Sequence, residues 1–463
     1  LLNGSDGAQN VRGPAGLAIA SSAGGEQVYL GSSLDDTLSW FGLAGFVTLF
    51  FQQLGSTRGD STGVDGIDGA PGLSPNPGRL AFWNGDEGIG HLDSLYATGP
   101  GENALAAFGC DETTRNLSWQ AVYREDPDTL YPTDGYQDVQ VTRDGRNLYI
   151  VRQASPDMIL NFQRDRLSGT LFFQDYVLND ADTTGLTMGT PTSIAISFDD
   201  AHVYVSAQAT NAIVVFARNP DIGTLTFVEA QIDNNDTIDG LEGTQCVAVS
   251  PDGQYVYATS EIENALAVFS RDPKTGKLTF VGKFSGVAGL GAAWGIAVSP
   301  DSQYVYTTGY GDSGIAIFKR DVLAHLVYVG SVSAADLKLG SWRPTCPVIS
   351  PDGTQLYVTG EAYLAVVAFD RDTSTGLLDL RRAVEGGPPG SRDVVVTDNS
   401  KHVYVLESTI DTLRLFEVDL TLPTVTVEQR GIQPDPTDVF PIQFDVNFSE
   451  LIAGFEPSDI SFV

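Results

Sequence analysis

The sequence has few basic residues, few cysteines and few histidines. Its 26 lysines and arginines face 59 aspartates and glutamates, which gives a formal net charge of −33 at pH 7. Such an acidic surface repels the phosphates of nucleic acids, so we exclude nucleic-acid binding as a function. Three cysteines, Cys110, Cys246 and Cys346, cannot form a dense disulfide framework, and they leave the redox compartment open.

Membrane spans and common catalytic motifs are also missing. The longest uncharged apolar stretch, residues 38–51, is too short for a transmembrane helix. The sequence contains no Gly-x-Ser-x-Gly, His-Glu-x-x-His or Cys-x-x-Cys motif. It begins at Leu1 without a signal-peptide pattern, which favours a processed protein. The missing motifs weaken the case for an enzyme.

What is present is a repeat of about 50 residues. Its clearest copy, residues 247–280, alternates short apolar, β-branched runs with Ser-Pro-Asp-Gly and Asp-Pro-x-Thr-Gly turn signals. In each copy the second run ends in an aliphatic–Tyr pair, and the third ends in Phe. The tyrosines are Tyr29, Tyr96, Tyr149, Tyr204, Tyr257, Tyr306, Tyr357 and Tyr404; the phenylalanines are Phe41, Phe108, Phe162, Phe216, Phe269, Phe318, Phe369 and Phe416.

Four short strands per repeat predict an all-β fold, a β-propeller of four-stranded blades. We predict eight blades, with seven as the alternative because the second repeat is degenerate. The eighth repeat lacks a clear fourth strand, and residues 1–7 look like the end of one. We therefore expect the N-terminus to supply the last strand of the last blade, which would leave the ring without open ends.

The run Ser-Pro-Asp-Gly-x-x-Val-Tyr, followed by Ala-Val-Phe-x-Arg-Asp-x-x-Thr-Gly-x-Leu-Thr-Phe, resembles the lactonase-type β-propeller family. The resemblance covers residues 1–420, which we take as the propeller domain. It implies the propeller fold and, in some members, hydrolysis of sugar lactones; other members are secreted propellers without an assigned reaction. The acidic, glycine-rich connectors at 63–69 and 238–243 are similar to those of large secreted bacterial members, which implies an extracellular or cell-surface location.

Residues 421–463 have a different pattern and form the second predicted domain. The segments 423–427 and 442–448 resemble the first half of a bacterial Ig-like β-sandwich. A complete sandwich of this class needs about 100 residues. Either the chain continues beyond Val463, or another chain donates the missing strands.

Propellers usually bind ligands where the central channel opens, next to the residues that precede each innermost strand. An Arg, two Asp, two Cys and a Trp could hold a small polar ligand there, or they could only satisfy strand-end amides and plug the channel. The repeat alignment gives these candidates: Gln137, Asp138, Ser193, Gln245, Cys246, Trp294, Cys346, Arg392 and Asp393, with Arg343 just outside. No histidine is among them, which argues against hydrolysis. We expect His202 and His402 in surface turns before the second strand.

Two groups of acidic residues could bind calcium, which we regard as a cofactor that the sequence allows but does not require. Asp60, Asp65 and Asp68 lie between glycines in the longest insertion, and Asn234, Asp236 and Asp239 form a second group. Recurring Arg-Asp pairs, such as Arg271-Asp272, have another explanation. Because they occupy the same turn in four repeats, we interpret them as turn-fixing residues.

Three functions remain as hypotheses. The first is a secreted or cell-surface structural protein that interacts with copies of itself, with surface proteins or with glycans; in its sharper form it is a filament subunit assembled through the incomplete Ig-like segment. The second is a lactonase-like hydrolase at the channel mouth, which rests on analogy of fold. The third is a module that binds a small ligand without turnover. The missing catalytic set favours the first and makes an enzyme the weaker alternative.

Overall fold

A computed structural model describes most of the chain between Arg79 and Val418. The gaps in this range are residues 85–92, 100–103, 112–114, 116, 125–134, 180–187, 236, 322–324, 340–341, 362–363, 386–390 and 408–411. Outside the range, only the strands named below are described. All regular elements in the described part are β-strands. The same residues contain no helix that is long and apolar enough to cross a membrane.

Six four-stranded antiparallel sheets follow one another along the chain. Their strands, in chain order, are as follows. Blade 1 contains β5 (Leu80–Trp83), β6 (Asp93–Gly99), β7 (Ala104–Cys110) and β8 (Leu117–Arg124). Blade 2 contains β9 (Tyr136–Val141), β10 (Asn147–Arg152), β11 (Met158–Arg164) and β12 (Leu171–Leu178). Blade 3 contains β13 (Pro191–Ile196), β14 (His202–Ala207), β15 (Ala212–Arg218) and β16 (Leu225–Ile232).

The next three blades have the same order. Blade 4 contains β17 (Thr244–Val249), β18 (Tyr255–Ser260), β19 (Ala265–Arg271) and β20 (Leu278–Ser285). Blade 5 contains β21 (Ala293–Val298), β22 (Tyr304–Gly309), β23 (Gly314–Arg320) and β24 (Leu326–Ser333). Blade 6 contains β25 (Pro344–Ile349), β26 (Gln355–Gly360), β27 (Leu364–Arg371) and β28 (Leu378–Glu385).

Blade 7 closes the ring with a strand from the other end of the chain. It contains β29 (Ser391–Val396), β30 (His402–Glu407), β31 (Thr412–Val418) and, as its fourth strand, β4 (Phe51–Arg58). β4 runs antiparallel to β31, with Gln53 opposite Phe416. The expected N-terminal contribution is therefore made by β4, whereas residues 1–7 lie outside the described residues. Pairing with β4 covers the outer edge of β31, which would otherwise be open.

The ring has seven blades, so the prediction of eight is wrong and its alternative is confirmed. The first repeat explains the difference. Its first three strands, β1 (Gly16–Ser22), β2 (Gly25–Gly31) and β3 (Leu38–Leu43), form a separate three-stranded sheet. Its fourth strand is β4, which completes blade 7 instead. The repeat count therefore exceeds the blade count by one.

The chain divides into two compact units. One is the ring, Phe51–Val418; the other consists of Leu1–Phe50 and Asp419–Val463. In the second unit, β32 (Val425–Gln429) pairs antiparallel with β33 (Phe444–Phe448). These strands overlap the segments that we compared with an Ig-like sandwich. The rest of residues 421–463 lies outside the described part, so the Ig-like domain stays a prediction.

The hydrophobic core lies between neighbouring blades. Seven buried clusters are found, one for each junction of the ring. The cluster that joins blade 7 to blade 1 contains Leu406 and Leu413 from one side and Leu95 and Phe108 from the other. One blade alone cannot cover both of its apolar faces, and the closed ring covers them all.

At several junctions the recurring tyrosine of the second strand also joins a blade to the next. The hydroxyl of Tyr204 donates to the carbonyl oxygen of Gly276 at 2.9 Å and accepts from Nε of Arg271 at 2.7 Å. The same arrangement recurs at two further junctions, in Tyr96–Arg164–Gly169 and Tyr306–Arg371–Gly376. These buried bonds explain why β11, β19 and β27 each end in an arginine.

The two residues of the Arg271-Asp272 pair thus have different roles. The carboxylate of Asp272 accepts from the amides of Lys274 and Thr275, so the aspartate fixes the turn as predicted. Arg271 instead binds the preceding blade, which corrects the prediction for the arginine. The expectation for the histidines is also wrong. His202 and His402 are only 4% and 8% exposed, because their turns pack against the neighbouring blade.

Candidate active site

One residue from each blade lines the central channel at the same level. We call these seven residues the channel ring: Arg79, Asp138, Ser193, Cys246, Gly295, Cys346 and Asp393. All seven border one cavity of about 410 Å³, together with apolar side chains of the innermost strands. Six of them are the third residue of their blade's innermost strand, and Arg79 directly precedes β5. The cavity therefore has a polar end at the channel ring and an apolar end among residues such as Phe82, Ile196 and Val249.

The two aspartates of the channel ring hold neighbouring blades together. Asp138 accepts from the amide of Val139 at 2.9 Å and from that of Ile194 in the next blade at 2.9 Å. Asp393 likewise accepts from its own neighbour Val394 and, at 2.7 Å, from Leu80 of blade 1. Both carboxylates are thus occupied by amides of the innermost strands.

Burial controls the protonation of the channel ring. It raises the pKa of Asp138 to about 6, partly offset by the Arg79 guanidinium and the Ile194 amide. Burial alone lowers the pKa of Arg79, but Asp393, 3.7 Å away, and the other ring groups reverse this, so the pKa is raised. Burial also raises the pKa of the Cys246 and Cys346 thiols. Both thiols therefore stay protonated and are weak nucleophiles.

A second group of polar side chains lies where the channel opens. The face of the propeller at this opening carries the connections from each second strand to the third and from each blade to the next. We call it the upper face. Trp294 and Arg392 directly precede the ring residues Gly295 and Asp393, and Tyr310 and Glu361 directly follow β22 and β26. We call Trp294, Tyr310, Arg343, Glu361 and Arg392 the mouth arc.

Direct contacts connect the mouth arc across blades 5, 6 and 7. The rings of Trp294 and Tyr310 lie 5.3 Å apart at 30°. The Tyr310 hydroxyl donates to Oε2 of Glu361 at 2.7 Å, and Nε of Arg392 lies 3.5 Å from Oε1 of Glu361. The Arg343 guanidinium lies 5.3 Å from the Tyr310 ring centre, and its Nη1 donates to the Tyr310 hydroxyl at 3.2 Å.

The mouth arc is accessible to solutes, and its tyrosine is protonated. The side chains of Glu361 and Arg392 are 26% and 42% exposed, so both reach solvent. Partial burial and the neighbouring Glu361 carboxylate raise the pKa of Tyr310. Tyr310 therefore remains a hydroxyl that donates to Glu361. A carboxylate between a phenol and a guanidinium can accept a proton from water, and the exposed arginines can stabilise an oxyanion.

The structure separates the sequence candidates into three places. Asp138, Ser193, Cys246, Cys346 and Asp393 belong to the channel ring. Trp294, Arg343 and Arg392 belong to the mouth arc. Gln137 is partly exposed beside Asp138, and Gln245 is buried with its amide bound to Glu261 at 2.5 Å.

Arg79, Tyr310 and Glu361 are not among the site residues predicted from the sequence. A signal exists for each. Ring residues of the other blades lie eleven positions before the second-strand tyrosine, as Asp138 lies before Tyr149, but an insertion lengthens this step between Arg79 and Tyr96. Tyr310 and Glu361 each lie four positions after such a tyrosine. Aligning the repeats on these tyrosines would have found both residues of the mouth arc.

The calcium candidates are only partly within the described residues. Asp60, Asp65, Asp68 and Asp236 lie outside them. Asp239 lies near Asp233 and Glu263, close enough for the three carboxylates to share a cation. The ammonium group of Lys283 lies 2.6 Å from Asp239 and 3.2 Å from Glu263, and it already balances part of this charge. Asn234 donates to Asp233. Calcium binding stays a prediction.

Comparison with known proteins adds the family. The family described as "Lactonase, 7-bladed beta-propeller" matches residues 79–239 and 239–391. No curated protein matches the chain in sequence.

Solved structures share the fold at low identity. The periplasmic gluconolactonase of Pseudomonas aeruginosa is 18% identical, with a TM-score of 0.56 over 80% of this chain and 98% of that one. A candidate 6-phosphogluconolactonase of Bacteroides uniformis is 19% identical, with a TM-score of 0.52 over 81% and 98%. The hydrazine synthase of Kuenenia stuttgartiensis is 16% identical, with a TM-score of 0.55 over 75% and 97%.

Two of these names describe lactonases and the third a hydrazine synthase, so one fold carries different chemistry and the structural likeness establishes the fold alone. The family match is different in kind, because it covers more than half of the sequence and all six blades that are continuous in the chain. The chain belongs to the lactonase family of seven-bladed β-propellers.

Proposed function

We propose that this protein hydrolyses a lactone at the mouth arc, with Glu361 as the general base. The observation that carries the proposal is the Glu361 carboxylate, partly exposed and held between the Tyr310 hydroxyl and the Arg392 guanidinium. Membership of the lactonase family supports this reaction, as do the gluconolactonase names of two proteins with the same fold. Both sources favour the hydrolase over the structural subunit, which the sequence analysis preferred.

The proposed chemistry needs only water and the mouth arc. Glu361 accepts a proton from a water molecule while the water oxygen forms a bond to the lactone carbonyl carbon. The carbonyl oxygen becomes an oxyanion, which the guanidinium groups of Arg392 and Arg343 stabilise. The bond from the carbonyl carbon to the ring oxygen then breaks, and the ring oxygen takes up the proton. The product is an open-chain hydroxy acid.

The channel ring is the weaker location for this reaction. Each oxygen of Asp138 already accepts a backbone amide, so taking a proton from water would disturb the junction of blades 2 and 3. The thiols of Cys246 and Cys346 have raised pKa values, so they are protonated and weak nucleophiles at neutral pH. We therefore assign a structural role to the channel ring and the chemistry to the mouth arc.

The test is lactone hydrolysis by wild type and Glu361→Gln, followed by acid release at constant pH over a panel of lactones. We expect a loss in kcat of about 100-fold or more, because the amide cannot accept the proton from water. Glu417→Gln removes an exposed carboxylate from β31 and serves as the matched control. Full activity of Glu361→Gln, or wild type inactive against every lactone, would contradict the proposal.

The interaction hypothesis remains open at other surfaces. Its supporting features are the acidic composition and the second unit of the chain, which contains β32 and β33. Binding to copies of the chain, surface proteins or glycans, and assembly into filaments, are proposals that electron microscopy of the native protein tests. An extracellular or periplasmic location is also a proposal; the periplasmic gluconolactonase with this fold supports it.

A further inference from the structure

Two glutamates occupy equivalent positions on either side of an aromatic pair. Glu261 directly follows β18 in blade 4, Tyr310 directly follows β22 in blade 5, and Glu361 directly follows β26 in blade 6. Trp294 packs on Tyr310 within blade 5. The channel mouth therefore presents, from blade to blade, a carboxylate, an aromatic wall and a second carboxylate.

Both carboxylates are fixed in place. Oε2 of Glu261 accepts from the amide nitrogen of Gln245, which is 9% exposed, at 2.5 Å. Glu361 is held by Tyr310 and Arg392. Because each carboxylate has about four acceptor positions, both keep capacity for further donors. Groups that a ligand offers to them must therefore be donors, such as hydroxyls.

The charge of this region is unfavourable for an anion. The positive charges of Arg343 and Arg392 are matched by the negative charges of Glu261 and Glu361. The formal charges of these four residues therefore sum to zero. The nearby upper-face cluster of Asp233, Asp239 and Glu263 contains the single cation Lys283. The whole molecule carries a formal charge of −33. A phosphate dianion approaching the mouth would be repelled by the molecule and would find no surplus of cations at the site.

We infer that the mouth arc, together with Glu261, selects an uncharged, polyhydroxylated lactone and discriminates against its phosphorylated form. The hydroxyls donate to Glu261 and Glu361 in charge-assisted hydrogen bonds. The apolar face of the sugar ring packs on the aromatic wall of Trp294 and Tyr310. The inference deepens the proposed function, because turnover of this substrate rests on that proposal. Binding of the sugar ring does not depend on it.

Binding and turnover are measured separately so that the two proposals can fail separately. Gluconolactam has the shape of the sugar lactone and an amide that resists hydrolysis; it is titrated by calorimetry beside its 6-phosphate. We expect gluconolactam to bind at least about tenfold more tightly than the phosphate at low salt. Added salt should weaken this preference, because screening reduces the repulsion of the phosphate. In parallel, kcat/KM is compared for glucono-1,5-lactone and its 6-phosphate.

Two variants then test whether Glu261 causes the preference for gluconolactam over its 6-phosphate. Glu261→Gln removes one negative charge, so the preference for gluconolactam over its phosphate should fall by about threefold or more. Asp221→Asn removes one negative charge from an exposed turn on the opposite face and should leave the preference unchanged. The same effect in both variants would show that only net charge matters, and this would overturn the role of Glu261.

The remaining outcomes are also decisive. Tighter binding of the phosphate, equal binding of both lactams, or no binding of either would overturn the inference. Selective binding of gluconolactam without turnover of any lactone would support the inference and contradict the hydrolase. Selective binding together with faster turnover of glucono-1,5-lactone would support both.

Discussion

At the scale of single residues, a buried histidine belongs to the junction between blades 3 and 4. Nδ1 of His202 accepts from the Arg271 guanidinium at 2.8 Å, and the same arginine binds the hydroxyl of Tyr204. Gly276 has a φ of +74°, and a Cβ at this position would lie 2.2 Å from the His202 ring. A glycine is therefore required here by both its backbone conformation and the approach of the imidazole.

This junction predicts a dependence of stability on pH. Burial, reinforced by the Arg271 charge, lowers the pKa of His202, so the folded protein binds this proton less readily than the unfolded chain does. The histidine's contribution is present above about pH 6.5 and is lost as the pH falls through and below that value. In His202→Asn, whose amide oxygen can still accept from Arg271, the loss of urea midpoint between pH 7.5 and 5.5 should be smaller than in the wild type.

His325 provides the control for this measurement. Its side chain is 66% exposed, so His325→Asn should follow the wild-type pH profile. His402 is buried, and its pKa is also lowered by burial. The double variant of His202 and His402 should therefore flatten the profile further. An unchanged profile in His202→Asn would show that other groups set the acid response.

At the scale of strands, the sequence predicted where the strands lie in the chain better than it predicted which strands pair. All the second-strand tyrosines and third-strand phenylalanines lie in strands, because apolar residues between turn signals constrain their own segment. Pairing depends on distant residues. β4 follows β3 in the first repeat, yet it pairs with β31 near the other end of the ring. No local pattern distinguishes a fourth strand that completes its own repeat from one that completes another.

The different roles of β3 and β4 can be tested by truncation. Deleting residues 1–43 removes β1, β2 and β3 but keeps β4, so the ring should still unfold cooperatively at nearly the wild-type temperature. Deleting residues 1–58 also removes β4 and exposes the edge of β31. This should lower the midpoint by roughly 10 °C, since 1 kcal/mol corresponds to about 2–4 °C in large domains. Calorimetry on both truncations provides the measurement, and equal midpoints would contradict β4 as the closing strand.

At the scale of the molecule, the repeat predicted the fold and only part of the site. The propeller follows from apolar periodicity, which recurs in every blade. The mouth arc depends on residues that differ between blades: the position occupied by Glu361 in blade 6 holds Tyr310 in blade 5 and Gln208 in blade 3. Residues that break the repeat carry the candidate chemistry, and a consensus of the repeat removes them. The lack of a histidine at the channel does not exclude hydrolysis, because a glutamate such as Glu361 can also serve as a general base.

The charge of the whole molecule gives the last prediction. With a net charge of −33, self-repulsion opposes the compact state, and salt screens it. The thermal midpoint should therefore rise as NaCl increases from about 0.01 to 0.15 M, and then level off as the Debye length falls below about 8 Å. At the cluster of Asp233, Asp239 and Glu263, CaCl₂ and MgCl₂ at matched ionic strength should act alike, because Lys283 already compensates Asp239 and Glu263. A rise seen with calcium alone would contradict this and assign a calcium site to one of the acidic groups.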